Sequence, residues 1–293
     1  MGKKQHIVKL NYTKQQKIRN LKNIISDFSA SNLIPKIGIE LEFYLLNQDN
    51  SPLRNSDRLN QFIKELSIKS LLQNINLLKI EKEQGVSQIE AKTAPYSDIL
   101  SLCSDIFLFK KITKELAEKF SLKANFEAQI FKDDCGSAMQ INLSLLDKKN
   151  NFLFAKNETT ESLIMLHAIG GILKSISSLI IFCAPQKKDY LRYDKELNRE
   201  LFKEGKFTAP VNICWGYNNR TTLIRIPTNN TCERRIEFRL PAANADIHLV
   251  IYNLLLAVSY GIENKIIPPE ALHGNAFDER YKIPDIYTKL KIS

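Results

Sequence analysis

The stretch "RRIEFRLPAAN", residues 234–244, decides how the sheet of this protein is read. Side chains along a strand alternate between its two faces, so Ile236, Phe238 and Leu240 share one face and Arg235, Glu237 and Arg239 the other. A solvated strand face mixes lysine and glutamate freely. Two arginines flanking one glutamate at single-residue gaps are a different pattern. Arginine forks suit bidentate capture of carboxylate or phosphate, and a carboxylate between them suits a cation.

Four other segments alternate in the same way: "KIGIELEFYLL" (36–46), "SQIEAKTA" (87–94), "SAMQINLSLL" (137–146) and "TTLIRI" (221–226). In the first, Ile37, Ile39, Leu41 and Phe43 point one way and Glu40 and Glu42 the other. Glu90 shares its face with Gln88 and Lys92, while Gln140, Asn142 and Ser144 alternate against Met139, Ile141, Leu143 and Leu145. These runs predict strands of a largely antiparallel, half-buried sheet. Several carboxylates on one face repel unless a cation sits among them, and Mg²⁺ takes oxygen ligands while leaving positions for substrate phosphates.

Between the strands, Leu21, Ile24, Ile25 and Phe28 fall at helical spacing, as do Leu59, Phe62, Ile63 and Leu66. Ser97 is expected to cap a helix running to Phe120, and a further helix is expected from about Asn244 to Asn264. The apolar run "SLIMLHAIGGILKSISSLIIF" (162–182) contains His167 and Lys174. A lysine at a bilayer centre costs about 2.5 to 3.5 kcal/mol, so the run is read as a buried core helix and no membrane partner is expected.

The chain has 293 residues, 44% apolar and 25% charged, within the globular range. Its formal charge is +10. Seven basic residues (Lys3, Lys4, Lys9, Lys14, Lys17, Arg19 and Lys22) and no acidic one precede Asp27, which leaves only +3 for the rest. Residues 1–35 are read as a basic helical N-terminal arm and residues 36–293 as a single domain. A nucleic-acid partner would rest on that arm alone and is not expected. Cys103, Cys135, Cys183, Cys214 and Cys232 form no CxxC pair, and no apolar leader opens the chain, so a cytoplasmic location is expected.

The segment from Ala209 to Ile262, "APVNICWGYNNRTTLIRIPTNNTCERRIEFRLPAANADIHLVIYNLLLAVSYGI", carries W-G-x-x-N-R-(S/T), R-I-P and R-R-I-E-x-R-x-P-x-A-A-N together. With "IGIELEF" as an E-x-E strand and "EQGVSQIE" near E-x-x-P-G-Q-x-E, it resembles the catalytic domain of the glutamine synthetase family, in the carboxylate-amine ligase superfamily. That resemblance implies an α+β fold in which a curved antiparallel sheet carries helices on its outer face, the glutamine synthetase/guanido kinase-like arrangement. It also implies that Glu42, Glu83 and Glu90 hold one divalent metal, Mg²⁺ or Mn²⁺, and that Glu40, Gln140 and Glu237 hold a second. Arg192 and Arg239, with Gly136, would hold substrate glutamate. Arg225, Arg235 and Asn142 would bind ATP, and Arg220 and Arg225 would act on the transferred phosphoryl group. The implied reaction makes γ-glutamyl phosphate, which an amine then converts to an amide.

The sequence departs from that pattern in several places. Gln140 and Asn142 stand where the family has two histidines, and Cys135 where it has asparagine before Gly-Ser. An amide oxygen is a harder, uncharged ligand, so the second metal should bind more weakly and favour Mg²⁺. Thr208 replaces the family's flap glutamate, and a threonine hydroxyl is no general base near neutral pH. Glu196, Glu200 and Glu204 are the candidate substitutes. With 36 residues ahead of Ile37, most of the family's N-terminal β-grasp domain is expected to be missing and the C-terminal tail to be shortened to "YKIPDIYTKLKIS", which predicts a monomer or small homo-oligomer rather than the family's large ring. "SAMQINLSLL" also resembles the Q-x-N strand of glutamate-cysteine ligases. The expected function is thus an ATP-dependent ligase joining glutamate to an amine other than ammonia. Glutamine synthesis proper with ammonia, and a non-catalytic relative that binds glutamate or nucleotide, remain as alternatives.

Overall fold

A computed structural model describes residues 12–155, 161–206, 209–228, 232–281 and 284–286. In chain order, α1 (Lys14–Ala30) precedes β1 (Ile34–Leu46), and α2 (Ser56–Leu72) leads into β2 (Leu77–Lys82) and β3 (Gln88–Thr93). Then α3 (Ile99–Lys119) leads into β4 (Lys123–Asn125) and β5 (Met139–Leu146). After α4 (Leu163–Lys174) and α5 (Ile176–Cys183) come a 3-10 helix over Lys187–Tyr193 and α6 (Lys195–Lys203). The last elements are β6 (Trp215–Tyr217), β7 (Ile224–Ile226), β8 (Ile236–Phe238) and α7 (Ile247–Glu263).

The strands form one sheet in the order β2-β3-β1-β5-β8-β7-β6, with β4 paired to β1. Every ladder is antiparallel except the parallel pair β6 and β7. The expected α+β arrangement of a curved sheet with helices on its outer face is the observed one. The apolar faces of β1, β5 and β8 give Ile39, Leu41, Ile141, Leu143, Ile236 and Phe238 to a single core shared with α1, α3, α4 and α7. The polar face differs from the half-buried expectation, since Glu42, Glu90, Gln140, Glu237 and Arg239 are all buried. The 3-10 helix and the loop before β5 cover it, and bring Arg192, Cys135 and Gly136 over its side chains.

Local chemistry corrects three sequence boundaries. Asp98, not Ser97, caps α3, because its carboxylate accepts from the amides of both Leu100 and Ser101. Asp246 caps α7 through the amides of His248 and Leu249, so that helix starts at Ile247 and not near Asn244. The strand expected over "TTLIRI" shrinks to three residues. Asn219 accepts from the amide and hydroxyl of Thr221, and the Thr222 hydroxyl donates to the carbonyl of Asn219 at 2.8 Å, so these residues form a turn instead of extending the ladder.

The apolar run is not one helix but two, α4 and α5, bent by 74° about Ser175. Among the described residues no single helix is long and apolar enough to cross a membrane. α1 packs on α7 with Leu21, Ile24 and Phe28 buried, and the Lys17 ammonium donates to Asp246 at 2.6 Å. Residues 1–11 of the expected arm lie outside the described residues.

Glycines let α4 lie backbone to backbone on α7. A Cβ on Gly171 would stand 2.2 Å from the Ala257 carbonyl oxygen and 2.6 Å from the Gly261 Cα, and a Cβ on Gly261 would stand 2.2 Å from the His167 oxygen. These neighbours are main chain and cannot rotate aside. Gly171→Ala is expected to cost about 1–3 kcal/mol or more by forcing the helices apart. A urea midpoint equal to that of the parent protein would refute this close approach.

Candidate active site

Strand register fixes which polar side chains meet. Glu42 lies opposite Glu90, and Glu40 lies between Lys92 on one side and Gln140 on the other. Asn142 faces Glu237, which in turn faces Arg225. Because sheet neighbours stand about 5 Å apart, residues scattered over 200 positions of sequence come together in two adjoining rows.

In the first row, Glu42 is held by the Ala138 amide at 2.8 Å and the Gln140 side-chain amide at 3.0 Å. Gln88 reaches the same carboxylate at 3.4 Å and donates to the Gly136 carbonyl at 3.1 Å. Glu42 and Glu83 line one cavity with Gln84, Gln88, Cys135, Gly136, Gln140 and Arg192. Burial raises the pKa of Glu42 against the opposing charges of Arg192 and Arg239. Burial, and then the Glu42 charge, push Glu83 up to about 7. Burial, with the charges of Glu40 and Glu42, pushes Glu90 up to about 9. Glu42 and Glu83 are thus short of positive charge, while Glu90 has one ammonium, that of Lys92, at 2.7 Å. Burial also pushes the Cys135 thiol up to about 12, which leaves it inert as a nucleophile.

The second row is differently balanced. Glu237 accepts from Arg239 at 2.9 Å and from Arg225 at 2.5 Å. Burial pushes its pKa up, but the two guanidiniums outweigh burial and hold the carboxyl below its usual range. Gln140 accepts from Arg239 at 3.2 Å, Asn142 donates to Glu40 at 2.9 Å, and Arg235 donates to the Asn142 oxygen at 2.8 Å.

Arg192 is buried, stacked 5.4 Å from the Tyr193 ring, and donates to the carbonyls of Leu240 and Arg239. Gly136 packs directly on it: a Cβ there would stand 2.7 Å from the Arg192 Cγ and from the Ala128 oxygen. Arg220 is exposed in the turn after β6, and its charge offsets a small part of the rise that burial and Glu42 impose on Glu83.

Glu196, Glu200 and Glu204 do not line the cavity. They are exposed and paired with Arg199 at 3.3 Å, Lys203 at 2.7 Å and Lys206 at 3.3 Å. Position 208 lies outside the described residues.

Sequence reasoning passed over Lys92 and Gln88 as members of the site. Both share the period-two face of Glu90, so their side of the strand was readable. Their partners Glu40, Glu81, Glu42 and Gly136 lie on other segments and needed the register.

Among the described residues no three His, Cys, Asp or Glu side chains converge closely enough to grip an ion as they stand. The first row nevertheless fits a divalent cation in its chemistry, because its donors are all oxygen and its buried carboxylates raise one another's pKa values.

The curved sheet thus gathers carboxylates, amides and guanidiniums on its covered face. Residues 18–291 match the family described as glutamine synthetase, catalytic domain, and the chain belongs to that family. It is 25% identical over 270 residues to gamma-glutamylputrescine synthetase PuuA of Escherichia coli, spanning 84% of this chain and 55% of that protein. It is 27% identical over 274 residues to a glutamine synthetase of Clostridium saccharobutylicum, spanning 88% and 59%. The chain therefore spans little more than half the length of these relatives. Among solved structures, GmaS in complex with ADP superposes with a TM-score of 0.81 at 22% identity, over 92% of this chain and 64% of that one. Plasmodium falciparum glutamine synthetase gives 0.74 at 20% identity, over 88% and 57%.

Proposed function

We propose that the protein is an ATP-dependent ligase that joins the side-chain carboxyl of glutamate to an amine other than ammonia. The observation that carries this reading is the cavity in which Glu42, Glu83, Gln140, Gly136 and Arg192 meet. Family membership and the E. coli relative, whose name specifies a γ-glutamyl amine product, support the same reading.

In this reading Arg192 and Arg239 orient the glutamate carboxylates, and the lack of a side chain at Gly136 lets its backbone pack against the Arg192 stem and hold that guanidinium in place. Arg225, Arg235 and Asn142 hold the phosphates of ATP, while Arg220 neutralises charge on the transferred phosphoryl group. Glu42, Glu83 and Glu90 are the residues that would hold Mg²⁺ or Mn²⁺. When bound, the ion supplies positive charge to the phosphate oxygens in transfer. Glutamate oxygen takes the terminal phosphoryl group and ADP leaves. The amine then bonds to the acyl carbon, phosphate departs, and the nitrogen loses a proton to solvent. An acceptor whose amine has a pKa near about 8 is partly neutral at pH 7.5 and asks less of a base than ammonium does, which suits a threonine at position 208.

Glutamine synthesis with ammonia is the second reading, favoured by the relatives that carry the name glutamine synthetase. The test is ADP release with ATP, Mg²⁺ and glutamate against ammonia, cysteine, other amino acids, polyamines and no amine. Turnover is expected to depend on an organic amine and to fall about 100-fold or more in Glu83→Ala, the loss of about 3 kcal/mol of charge stabilisation. Ammonia as the preferred acceptor would select the second reading. No turnover with any amine would make the chain a binding relative.

A further inference from the structure

Lys92 adds a positive charge to the acidic rows besides those of the arginines. Its ammonium lies 2.7 Å from Glu90, 3.6 Å from Glu40 and 3.6 Å from Glu81, three carboxylates on three different strands. The register places it directly across from Glu40, whose other cross-strand neighbour is Gln140. The side chain is about one-third exposed, so its stem runs along the sheet while its head enters the cluster.

The oxygens on that side of the site are already engaged. Glu40 accepts from Asn142 on one oxygen and faces Lys92 with the other. Glu237 spends one oxygen on Arg239 and the other on Arg225. The Gln140 oxygen accepts from Arg239. Three resident cations, Lys92, Arg225 and Arg239, thus surround the Glu40, Gln140 and Glu237 set. A divalent ion entering there would have to displace an ammonium and break guanidinium pairs, and it would meet like charge at about 4 Å. Among the described residues no such cation forms an ion pair with Glu42 or Glu83, and Lys92 engages a single oxygen of Glu90.

We infer that Lys92 is a built-in cation that replaces a protein-held ion at the Glu40 set, so that this chain's own side chains bind one divalent ion instead of two. The inference rests on the proposed reading of Glu42, Glu83 and Glu90 as the ligands of the first ion. It makes Lys92 a positioning residue: it acts through Glu40 and Glu90 and touches no substrate. A second divalent ion in the working site would then have to arrive with the nucleotide, held mainly by its phosphates.

The test counts Mn²⁺ bound to the full chain without nucleotide, by equilibrium dialysis and by loss of the free-ion electron paramagnetic resonance signal. Lys92→Ala and Lys92→Met are compared with the parent, and matching circular dichroism and melting curves establish that each variant is folded. The expected result is one ion per parent chain and, in both variants, a second and weaker ion drawn to the freed Glu40 while Arg225 and Arg239 keep Glu237, with Glu83→Ala/Lys92→Met returning to one. Two ions on the parent chain, or one on the variants, would overturn the role of Lys92 and leave the first ion site standing. No ion on any of the proteins would overturn that first site as well, and this inference with it.

Discussion

Glu237→Ala is expected to destabilise the protein by about 3–5 kcal/mol, the range for removing one partner of a buried ion pair. Glu237 is 2% exposed, and its two oxygens accept from Arg225 and Arg239 across β7 and β8. Arg239 is itself buried, so the truncation leaves positive charge inside the sheet with its principal anion gone. Desolvation of an unpaired guanidinium, more than loss of the attraction itself, sets the size of the effect. Glu237→Gln keeps the shape and one acceptor oxygen and should cost distinctly less. Guanidinium chloride unfolding of the two variants separates these contributions. An alanine variant within about 0.5 kcal/mol of the parent, the usual limit for a surface substitution, would mean that Glu237 is solvated and the described pairing is absent.

The second large effect concerns pH and metal together. Glu83 is raised to about 7 and Glu90 to about 9 in the folded, metal-free protein, while both return to about 4.3 on unfolding. Between those values the folded state binds more protons than the unfolded state, so stability falls as pH rises. The contribution is fully present below about pH 4 and is lost as pH climbs through about 7 and then about 9. Solvent reaches Glu83, so its share should be no more than about 1–2 kcal/mol. A divalent ion bound to the ionised carboxylates reverses the trend. At an ion concentration of about 100 times Kd it adds about 2.7 kcal/mol. Denaturant midpoints measured between about pH 5 and 9, with EDTA and with Mg²⁺, should diverge as pH increases. Glu83→Ala should shrink both the metal-free slope and the Mg²⁺ gain. Metal-free stability that rises over this interval, or an undiminished Mg²⁺ gain in the variant, would remove the carboxylate site from the account.

The legibility of the site divides by the kind of information each residue carries. Period two alone put Glu40 with Glu42, Gln140 with Asn142, and Arg235 with Glu237 and Arg239, because alternation is a property of a single strand. Lys92 was visible as a member of the Glu90 face, yet its role was not. The contacts that define it lie on β1 and β2, and nothing local to "SQIEAKTA" states which strands lie alongside. Turn and cap positions failed for a similar reason on a smaller scale. Ser97 and Asp98 are both good caps by type, and only the direction of the chain into α3 selects the carboxylate. Among the strands, β2, β4 and β6 escaped the sequence reading. β4 and β6 are three residues each, too short to show a period, and β2 is an edge strand whose exposed Leu78 blurs the alternation.

By itself the sequence determined the fold class, the polar face of each long strand and the set of carboxylates and arginines available for chemistry. The strand faces and the set of groups follow from side-chain periodicity and residue type, which the chain carries locally, while the fold class came through the resemblance to the glutamine synthetase family. The tertiary structure alone decided which of those groups stand next to one another and how their charges balance. Cross-strand register and burial arise from contacts between distant segments. They place two guanidiniums on Glu237 and an ammonium between Glu40 and Glu90, and leave buried Glu42 and half-buried Glu83 as the carboxylates still short of a cation.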